Sequence, residues 1–275
     1  MGSNDMTTQL TFKELEHQGW DERAHSYDDY TARITSYGVV PLLEAAEIAP
    51  RQKVLDVCCG TGLFAAAAIE RGASVTGIDL SAEMIAVAER KGLRGYFRTG
   101  DAEALPFPDE SFDRVVCNFG LYHLPAPDRA ITEAARVLRD GGHYAFTTWC
   151  GPDISPFFRI ISEAVQSQGT MDVGLPSGPP PFRLADRVET GRIMNEAGFA
   201  KLGFGELQAV LQWSLEHIID FLEQGTVRVT MVLRAQHRDA RYRIEQRIRE
   251  GFKEYAQNGM VHMILPALVV SGSKV

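Results

Sequence analysis

Three acidic residues and two glycines carry the strongest chemical signal in this sequence. The run VLDVCCGTGL places Asp56 at the end of an apolar strand, with Gly60 and Gly62 in the turn that leads into a helix. Glycines let backbone amides approach a ligand closely, and the N-terminus of the helix presents further unpaired amides. Asp79 and Asp101 each follow a later strand. We therefore expect three carboxylates to converge, at one edge of a parallel sheet, on a cofactor that carries a nucleoside and a positive charge.

The same turn also fits a dinucleotide site, which is the main alternative. The segment GTGLFA has the form G-x-G-x-x-A, and Asp79 lies near the spacing at which an acidic residue binds a ribose. A carboxylate at Asp56 would repel a pyrophosphate, whereas it suits an ammonium or sulfonium. A nicotinamide site also has no need of the acidic turn GDAE at residues 100–103. Tight NAD binding without affinity for a sulfonium nucleoside would favour the interpretation as a dehydrogenase.

Five motifs in order point to one family. The segments VLDVCCGTG, VTGIDLSAEM, TGDAEALPFPDESFD, NFGLYHL and RVLRDGGHYAFTTW follow one another along the chain. In this order they resemble the class I S-adenosylmethionine-dependent methyltransferases, particularly the small-molecule group with the ubiquinone and menaquinone C-methyltransferases. The resemblance is close over roughly residues 20–150 and looser beyond. It implies an α/β fold, with a Rossmann-like, seven-stranded, mostly parallel sheet, an antiparallel edge, helices on both faces and a helical substrate cap.

The resemblance also implies a cofactor site, for S-adenosylmethionine as substrate and S-adenosylhomocysteine as product, with no metal. Asp56 and the glycine backbone would meet the methionine end, Asp79 both ribose hydroxyls, and Asp101 the exocyclic amine of adenine. Taken singly, Asp79 and Asp101 also fit a helix cap and a local turn. Leu80 and Met84 would flank the adenine, and the backbone of Ala102 would meet its ring nitrogen. The other residues implied at this site are Tyr27 of the N-terminal cover, Cys58 beside the methionine moiety, and Asn118 beside the methionine ammonium.

Cys58 stands where the resembling family usually has glycine. A positive φ at this position would strain a cysteine, whereas an ordinary φ would only narrow the space beside the methionine moiety. Cysteine is small and buries well, so we expect an ordinary backbone here.

The acceptor side is defined by fewer residues. His123 follows the fourth strand, where an imidazole can act as general base, although a structural role also fits. Aromatic and aliphatic residues of the late helices favour an apolar acceptor, aromatic or polyketide-like, with O- or C-methylation ahead of N-methylation. The alternatives are a quinone-pathway C-methyltransferase and a cyclase-like enzyme that binds the cofactor without transferring methyl. Further candidate side chains, unranked, are Tyr122, Trp149, His217, Tyr242 and His262.

The elements that must position these residues alternate regularly, which predicts a parallel sheet. We expect an N-terminal helical cover (1–36), a cofactor-binding core (37–150), and a third part (151–275) with a mobile loop, cap helices and edge strands. Glycines at 72, 92 and 141–142 are expected to end helices, and Ser81 to begin one. The predicted strands are 53–57, 74–79, 95–99, 112–118, 143–148, 201–213 and 260–272. The predicted helices are 11–36, 63–71, 82–91, 128–139 and 187–197, one opening at Ser214, and a longer one containing 244–255.

Composition limits the class of protein and the kinds of partner. The 275 residues carry a net charge of −8, with 45% hydrophobic and 23% charged residues, which is ordinary for a globular chain. A nucleic-acid surface would need a basic stripe, so a small-molecule acceptor is favoured over a nucleic acid. No apolar run reaches the ~18 residues of a membrane span, and the start lacks signal-peptide blocks. The four cysteines have no zinc spacing and are expected to be reduced. These features predict a cytoplasmic protein and leave its oligomeric state open.

Overall fold

The first half of the chain alternates strands and helices as the sequence pattern predicts. The computed structural model describes residues 10–275, so the first nine residues of the expected cover lie outside the described part. The strands of this half are β1 (Lys53–Val57), β2 (Ser74–Asp79), β3 (Tyr96–Thr99), β4 (Phe112–Asn118) and β5 (Leu138–Trp149). The helices are α1 (Phe12–Arg23), α2 (Ala32–Thr35), α3 (Val39–Ala45), α4 (Leu63–Glu70), α5 (Ala82–Arg90) and α6 (Pro127–Val137).

The second half adds helices and two long strands. Its helices are α7 (Pro156–Gln168), α8 (Arg187–Glu196), α9 (Ile218–Gly225), α10 (Arg228–Arg234) and α11 (Arg238–Lys253). Its strands are β6 (Phe199–Ser214), β7 (Ala256–Gln257) and β8 (Met260–Lys274). No helix of the described residues is long and apolar enough to cross a membrane.

One mixed sheet joins all the strands. Its order is β3-β2-β1-β4-β5-β8-β6, and the short β7 pairs with β8 off this path. The pairs from β3 to β5 are parallel, whereas β8 runs antiparallel to both β5 and β6. The mostly parallel sheet with an antiparallel edge is therefore confirmed, with the two-residue β7 as an eighth strand beside the seven expected. The chain order reverses between β1 and β4, which is where open α/β sheets form their binding crevice.

The sheet is covered on both faces. Successive residues of β1 bury into different cores: Val54 belongs to one hydrophobic cluster, with Leu42 and Phe64, and Leu55 to the other, with Ile131. Because side chains alternate along a strand, an apolar run such as VLDV suits a central strand with helices on each side.

Helix ends in the core mostly follow the sequence signals. Gly72 and Gly92 end α4 and α5 with φ values of 84° and 66°, and the Ser81 hydroxyl accepts a hydrogen bond from the Met84 amide at 3.1 Å. The expected glycine cap at 141–142 is wrong. The helix ends at Val137 and the next residue already begins β5, because buried Leu138 pairs with Phe112 across the sheet.

A single helix over residues 11–36 is also wrong. α1 ends at Arg23, turns follow, and only 32–35 are helical again. The buried Arg23 guanidinium donates to the carbonyl oxygens of Gly19 and Glu223, each at 2.8 Å. It thereby caps α1 and ties the helix end to α9. The turns then place Tyr27 beside the glycine turn that follows β1.

The segment between α7 and α8 has neither helix nor strand over residues 169–182, in agreement with the absence of a period there. The segment packs over α1: a Cβ on Gly178 would lie 2.4 Å from the Phe12 ring. Phe182, at its end, contacts the rings of Tyr122 and Phe158. Helices α3, α7 and α10 were not predicted. For α7 the signal was present but missed, because its buried residues recur at helical spacing: Phe157, Ile160, Ile161, Ala164 and Val165. The expected mobility of the loop stays a prediction.

Candidate functional site

A large cavity opens at the carboxyl ends of β1, β2 and β4, beneath the N-terminal segment. It encloses about 1130 Å³, including its open mouth. Eight of the residues proposed from the sequence line its wall, namely Tyr27, Cys58, Gly60, Asp79, Leu80, Met84, Asn118 and His123.

Asp79 presents a carboxylate held in place by the backbone. One oxygen accepts a hydrogen bond from the Gly60 amide at 2.8 Å, and the other from the Ser81 amide at 2.9 Å. Burial raises the pKa of Asp79, and the two amides oppose part of that rise. Each oxygen keeps a further lone pair, so the group can still accept two hydroxyl donors.

Gly60 leaves one side of its backbone open to the cavity. Its φ is +52°, and a Cβ built there would meet only the Tyr27 ring, at 3.9 Å. A ligand can therefore approach this peptide where a side chain would hold it off.

Gly62 has a different reason to be glycine. Its φ is +82°, and a Cβ would lie 2.8 Å from Cδ1 of Leu93. Gly62 also lies outside the cavity wall. The structure thus places it as the tight packing point at which α4 begins, rather than at the ligand surface.

Asp56 lies behind the wall rather than on it. Asp56 is 1% exposed, and neither of its carboxylate oxygens has a hydrogen-bond partner among the described residues. Burial raises its pKa well above the usual range, and the charge of Asp79 adds to the rise. The Ala65 amide opposes part of it, although the geometry between the two groups is not that of a hydrogen bond.

Asp101 is engaged by the N-terminal helix. One oxygen pairs with Nζ of Lys13 at 2.6 Å, and the other accepts from the Glu103 amide at 2.9 Å. Lys13 also pairs with Glu103, so it fixes α1 to the acidic turn. Asp101 and Ala102 both lie outside the cavity wall. Of the three carboxylates only Asp79 lines the cavity, so their convergence on a cofactor stays a prediction.

Cys58 has φ = +56°, so the expectation of an ordinary backbone is wrong. The turn after β1 bends the chain toward β2, where the Cys59 amide donates to the Ile78 carbonyl at 3.0 Å and the Gly60 amide to Asp79. This route needs a left-handed residue at 58, where glycine would be unstrained. The Cys58 side chain lines the cavity and contacts the thiol of Cys117, and this contact, with burial, raises its pKa.

Asn118 connects three elements at the wall. Its amide nitrogen donates to the Thr35 carbonyl at 3.1 Å, and its side-chain oxygen accepts from the Thr147 hydroxyl at 2.9 Å. Tyr27 lies 3.3 Å from the Thr35 hydroxyl, and burial raises its pKa to about 12. Asn118 and Tyr27 thus hold the end of α2 over the sheet.

His123 belongs to a polar cluster that sequence reasoning did not find. Its Nδ1 lies 2.8 Å from Oε2 of Glu16 in α1, and Oε1 of Glu16 accepts from Nε of Arg228 at 2.9 Å. Trp20 contacts the imidazole edge to face, with ring centroids 4.8 Å apart. The partners lie more than 100 residues apart along the chain, so no local spacing could have indicated them.

The rest of the wall is mainly apolar. Trp149 stacks on Phe119 with centroids 3.9 Å apart, and Phe157 and Phe158 lie beyond it. Among the unranked candidates, Tyr122 and Trp149 line the cavity, whereas His217, Tyr242 and His262 are exposed outside it. Among residues 10–275, no group of three or more His, Cys, Asp or Glu is placed to hold a metal ion.

Comparisons with known proteins agree with this geometry. A family model described as a methyltransferase domain matches residues 55–146. A demethylmenaquinone methyltransferase of Renibacterium salmoninarum is 36% identical over 122 residues, covering 44% of this chain and 52% of the relative. A 27-O-demethylrifamycin SV methyltransferase of Amycolatopsis mediterranei is 35% identical over 153 residues, covering 51% and 53%. The chain thus spans about half the length of these relatives.

A solved structure extends the likeness of fold to nearly the whole chain. The 4+2 cyclase SpnF aligns over 97% of this chain and 98% of its own, with a TM-score of 0.60 and 20% identity. The prediction from the five motifs is confirmed over residues 55–146, which match a methyltransferase domain, and this part of the chain resembles the demethylmenaquinone methyltransferases, while the fold of the chain as a whole is that of the class I methyltransferases.

Proposed function

We propose that this protein transfers a methyl group from S-adenosylmethionine to a small, apolar organic acceptor, with O- or C-methylation favoured over N-methylation. One observation carries the proposal. A single cavity is lined by Gly60 and Asp79, which suit a ribose, and by an aromatic wall around Trp149. His123 lies on the same wall.

The residues present fit the cofactor. The fixed carboxylate of Asp79 has lone pairs left for two ribose hydroxyls, and the open face of Gly60 admits close contact. Leu80 and Met84 supply apolar surface for a base. A cationic methionine end bound in front of this turn would favour the ionised form of Asp56, whose buried oxygens have no partner among the described residues. When bound, S-adenosylmethionine supplies a methyl group that its sulfonium has already activated.

The chain's own contribution is then mainly alignment and the exclusion of water. Holding two reactants in line replaces an encounter in solution and supplies much of the rate. The aromatic side chains Trp149, Phe157 and Phe158 form an apolar wall on which a flat or extended acceptor can lie.

His123 is the best candidate for a general base. Glu16 is buried at 3% exposure and pairs with Arg228, and in one tautomer of His123 its carboxylate accepts the Nδ1 proton. Nε2 then carries the free lone pair. Burial raises the pKa of both Tyr27 and Tyr122 to about 12, so these phenols stay neutral near pH 7 and act as donors rather than bases.

The decisive experiment combines binding and transfer. Calorimetry should show S-adenosylhomocysteine binding to the purified protein. Methyl-labelled S-adenosylmethionine, incubated with a panel of hydroxylated aromatic and polyketide compounds, should yield a labelled product. A demethylated naphthoquinol belongs in the panel, because a quinone-pathway acceptor is the narrower alternative. Absence of cofactor binding, or an isomerised substrate without label, would show that the proposal is wrong.

A further inference from the structure

Arg228 occupies an unusual position at the edge of the cavity. It begins α10 and donates through Nε to Glu16 at 2.9 Å. Its guanidinium lies 4.6 Å from the ring centroid of Phe12 and 4.4 Å from that of Tyr122. Cation–π contacts with two rings fix the plane of the guanidinium. The side chain is therefore ordered before any ligand arrives.

The guanidinium is only partly used by these contacts. Nη2 is buried, yet no described residue accepts a hydrogen bond from it. A buried donor without an acceptor is costly, and such groups in native proteins usually have a specific reason. Arg228 lines the cavity, so an acceptor for Nη2 can come from a ligand there.

A purely structural role leaves this arrangement unexplained. If Arg228 served only to neutralise Glu16, we would expect a bidentate ion pair, in which both carboxylate oxygens accept from the guanidinium. Instead, Glu16 divides its oxygens between Nε of Arg228 and Nδ1 of His123. Nη2 of the guanidinium is left without an acceptor at the cavity edge, on the same wall as the proposed base.

We propose that Arg228 is the acceptor-binding residue that determines substrate class, and that the acceptor is an apolar molecule bearing an oxyanion, either a carboxylate or an enolate. This inference rests on the proposed function, since it names the acceptor of that same site. The aromatic wall binds the body of the acceptor, and Nη2 of Arg228 binds its anionic oxygen. Because Glu16 joins Arg228 to His123, the anchored oxygen also fixes the distance between the acceptor and the base.

The test compares anionic and neutral ligands of the same shape. Naphthoate and naphthamide form one pair, and an enolised hydroxycoumarin and coumarin form the other. Each is titrated at neutral pH, in the presence of S-adenosylhomocysteine, by calorimetry and by quenching of the fluorescence of the cavity tryptophans. The wild type should bind at least one anion roughly tenfold or more tightly than its neutral counterpart. Which pair shows the preference distinguishes a carboxylate from an enolate.

The variants assign the preference to Arg228. Arg228→Gln should remove it while naphthamide and coumarin bind as before. Arg234→Gln, which changes an exposed arginine of the same helix, should leave it intact. Because Arg228→Gln leaves Glu16 without its cation, the double variant Glu16→Gln/Arg228→Gln removes both charges and provides the same comparison if the single variant unfolds.

Equal binding of anionic and neutral ligands to the wild type would overturn the inference, as would an anion preference that survives in Arg228→Gln. Titration of S-adenosylhomocysteine alone separates this failure from that of the proposed function. Cofactor binding without an anion preference would disprove only the role of Arg228. Absence of cofactor binding would disprove the proposed function.

Discussion

Oε2 of Glu16 lies 2.8 Å from Nδ1 of His123, across 107 residues of sequence. This contact joins the N-terminal helix to the turn after β4, at the cavity. A carboxylate in this position fixes the imidazole ring and its tautomer, as a positioning residue does for a general base. The relationship therefore makes the base assignment testable at two residues rather than one.

We predict that His123→Asn lowers kcat by roughly 10²–10⁴-fold for an acceptor that must lose a proton. Glu16→Gln should produce a smaller fall, because the imidazole remains but loses its orientation. Affinity for S-adenosylhomocysteine should stay unchanged in both variants. Steady-state kinetics with calorimetry measure this. His217→Asn, at an exposed site outside the cavity, is the matched control. A wild-type kcat in His123→Asn would assign the histidine to packing.

Asp79→Asn is predicted to weaken binding of S-adenosylhomocysteine by about 10- to 100-fold. Hydrogen bonds to a charged group contribute about 1.5–3 kcal/mol each, and the amide keeps only one acceptor oxygen. Isothermal titration of wild type and variant measures the difference. Asp109→Asn provides the control, since Asp109 is 74% exposed at the surface. Unchanged affinity in Asp79→Asn would contradict the ribose role.

Local sequence signals were sufficient for the strands β1 to β4 and for the helices α4 and α5 between them. The apolar run before Asp56 and the glycines at 72 and 92 act within a few residues, so strands and helix ends could be predicted there. The helix cap expected at 141–142 failed because a sheet pairing of Leu138, a contact made across the fold, ended the helix earlier.

The parts of the site that could not be predicted depend on distant partners. Lys13 binds Asp101 across 88 residues, so a carboxylate with the right spacing is already engaged by α1. Arg228 reaches Glu16 across 212 residues. The positive φ of Cys58 likewise depends on hydrogen bonds to β2, which the residue type of Cys58 does not indicate.

Gly120 and Cys58 are predicted to be coupled through space. The φ of Gly120 is −77°, which suits alanine. A Cβ there would nevertheless lie 2.3 Å from Cβ of Cys58 and 2.8 Å from Sγ of Cys117. Gly120→Ala should therefore destabilise the fold by about 1–3 kcal/mol through overpacking.

Cys58→Gly should fold normally, because relief of the left-handed strain offsets the greater backbone freedom of glycine. Combined with Gly120→Ala, it should recover part of the lost stability, and Cys117 accounts for the remainder. Urea unfolding of the single and double variants measures the coupling. Gly191→Ala is the control, since its Cβ would meet only Leu202, at 3.9 Å. Strict additivity would contradict the contact, and loss of folding in Cys58→Gly would contradict the strain.

Asp56 should make the wild type less stable as pH rises. Burial raises its folded pKa well above the usual value of 3.8. Above that usual value, and up to the raised one, the folded chain therefore binds more protons than the unfolded chain. The free energy of unfolding falls through this window by up to ~1.4 kcal/mol per pH unit.

Asp56→Asn removes this titration. The difference in free energy of unfolding, variant minus wild type, should therefore grow with pH above about 4 and level off below it. A constant offset from burying the new amide does not alter this slope, and Asp79 is present in both proteins, so its own raised pKa largely cancels. Urea unfolding followed by circular dichroism across the pH range measures the difference. Asp140→Asn, at a residue 75% exposed, should give a flat difference. A flat difference for Asp56→Asn would mean that the carboxylate is ionised without penalty in the folded protein.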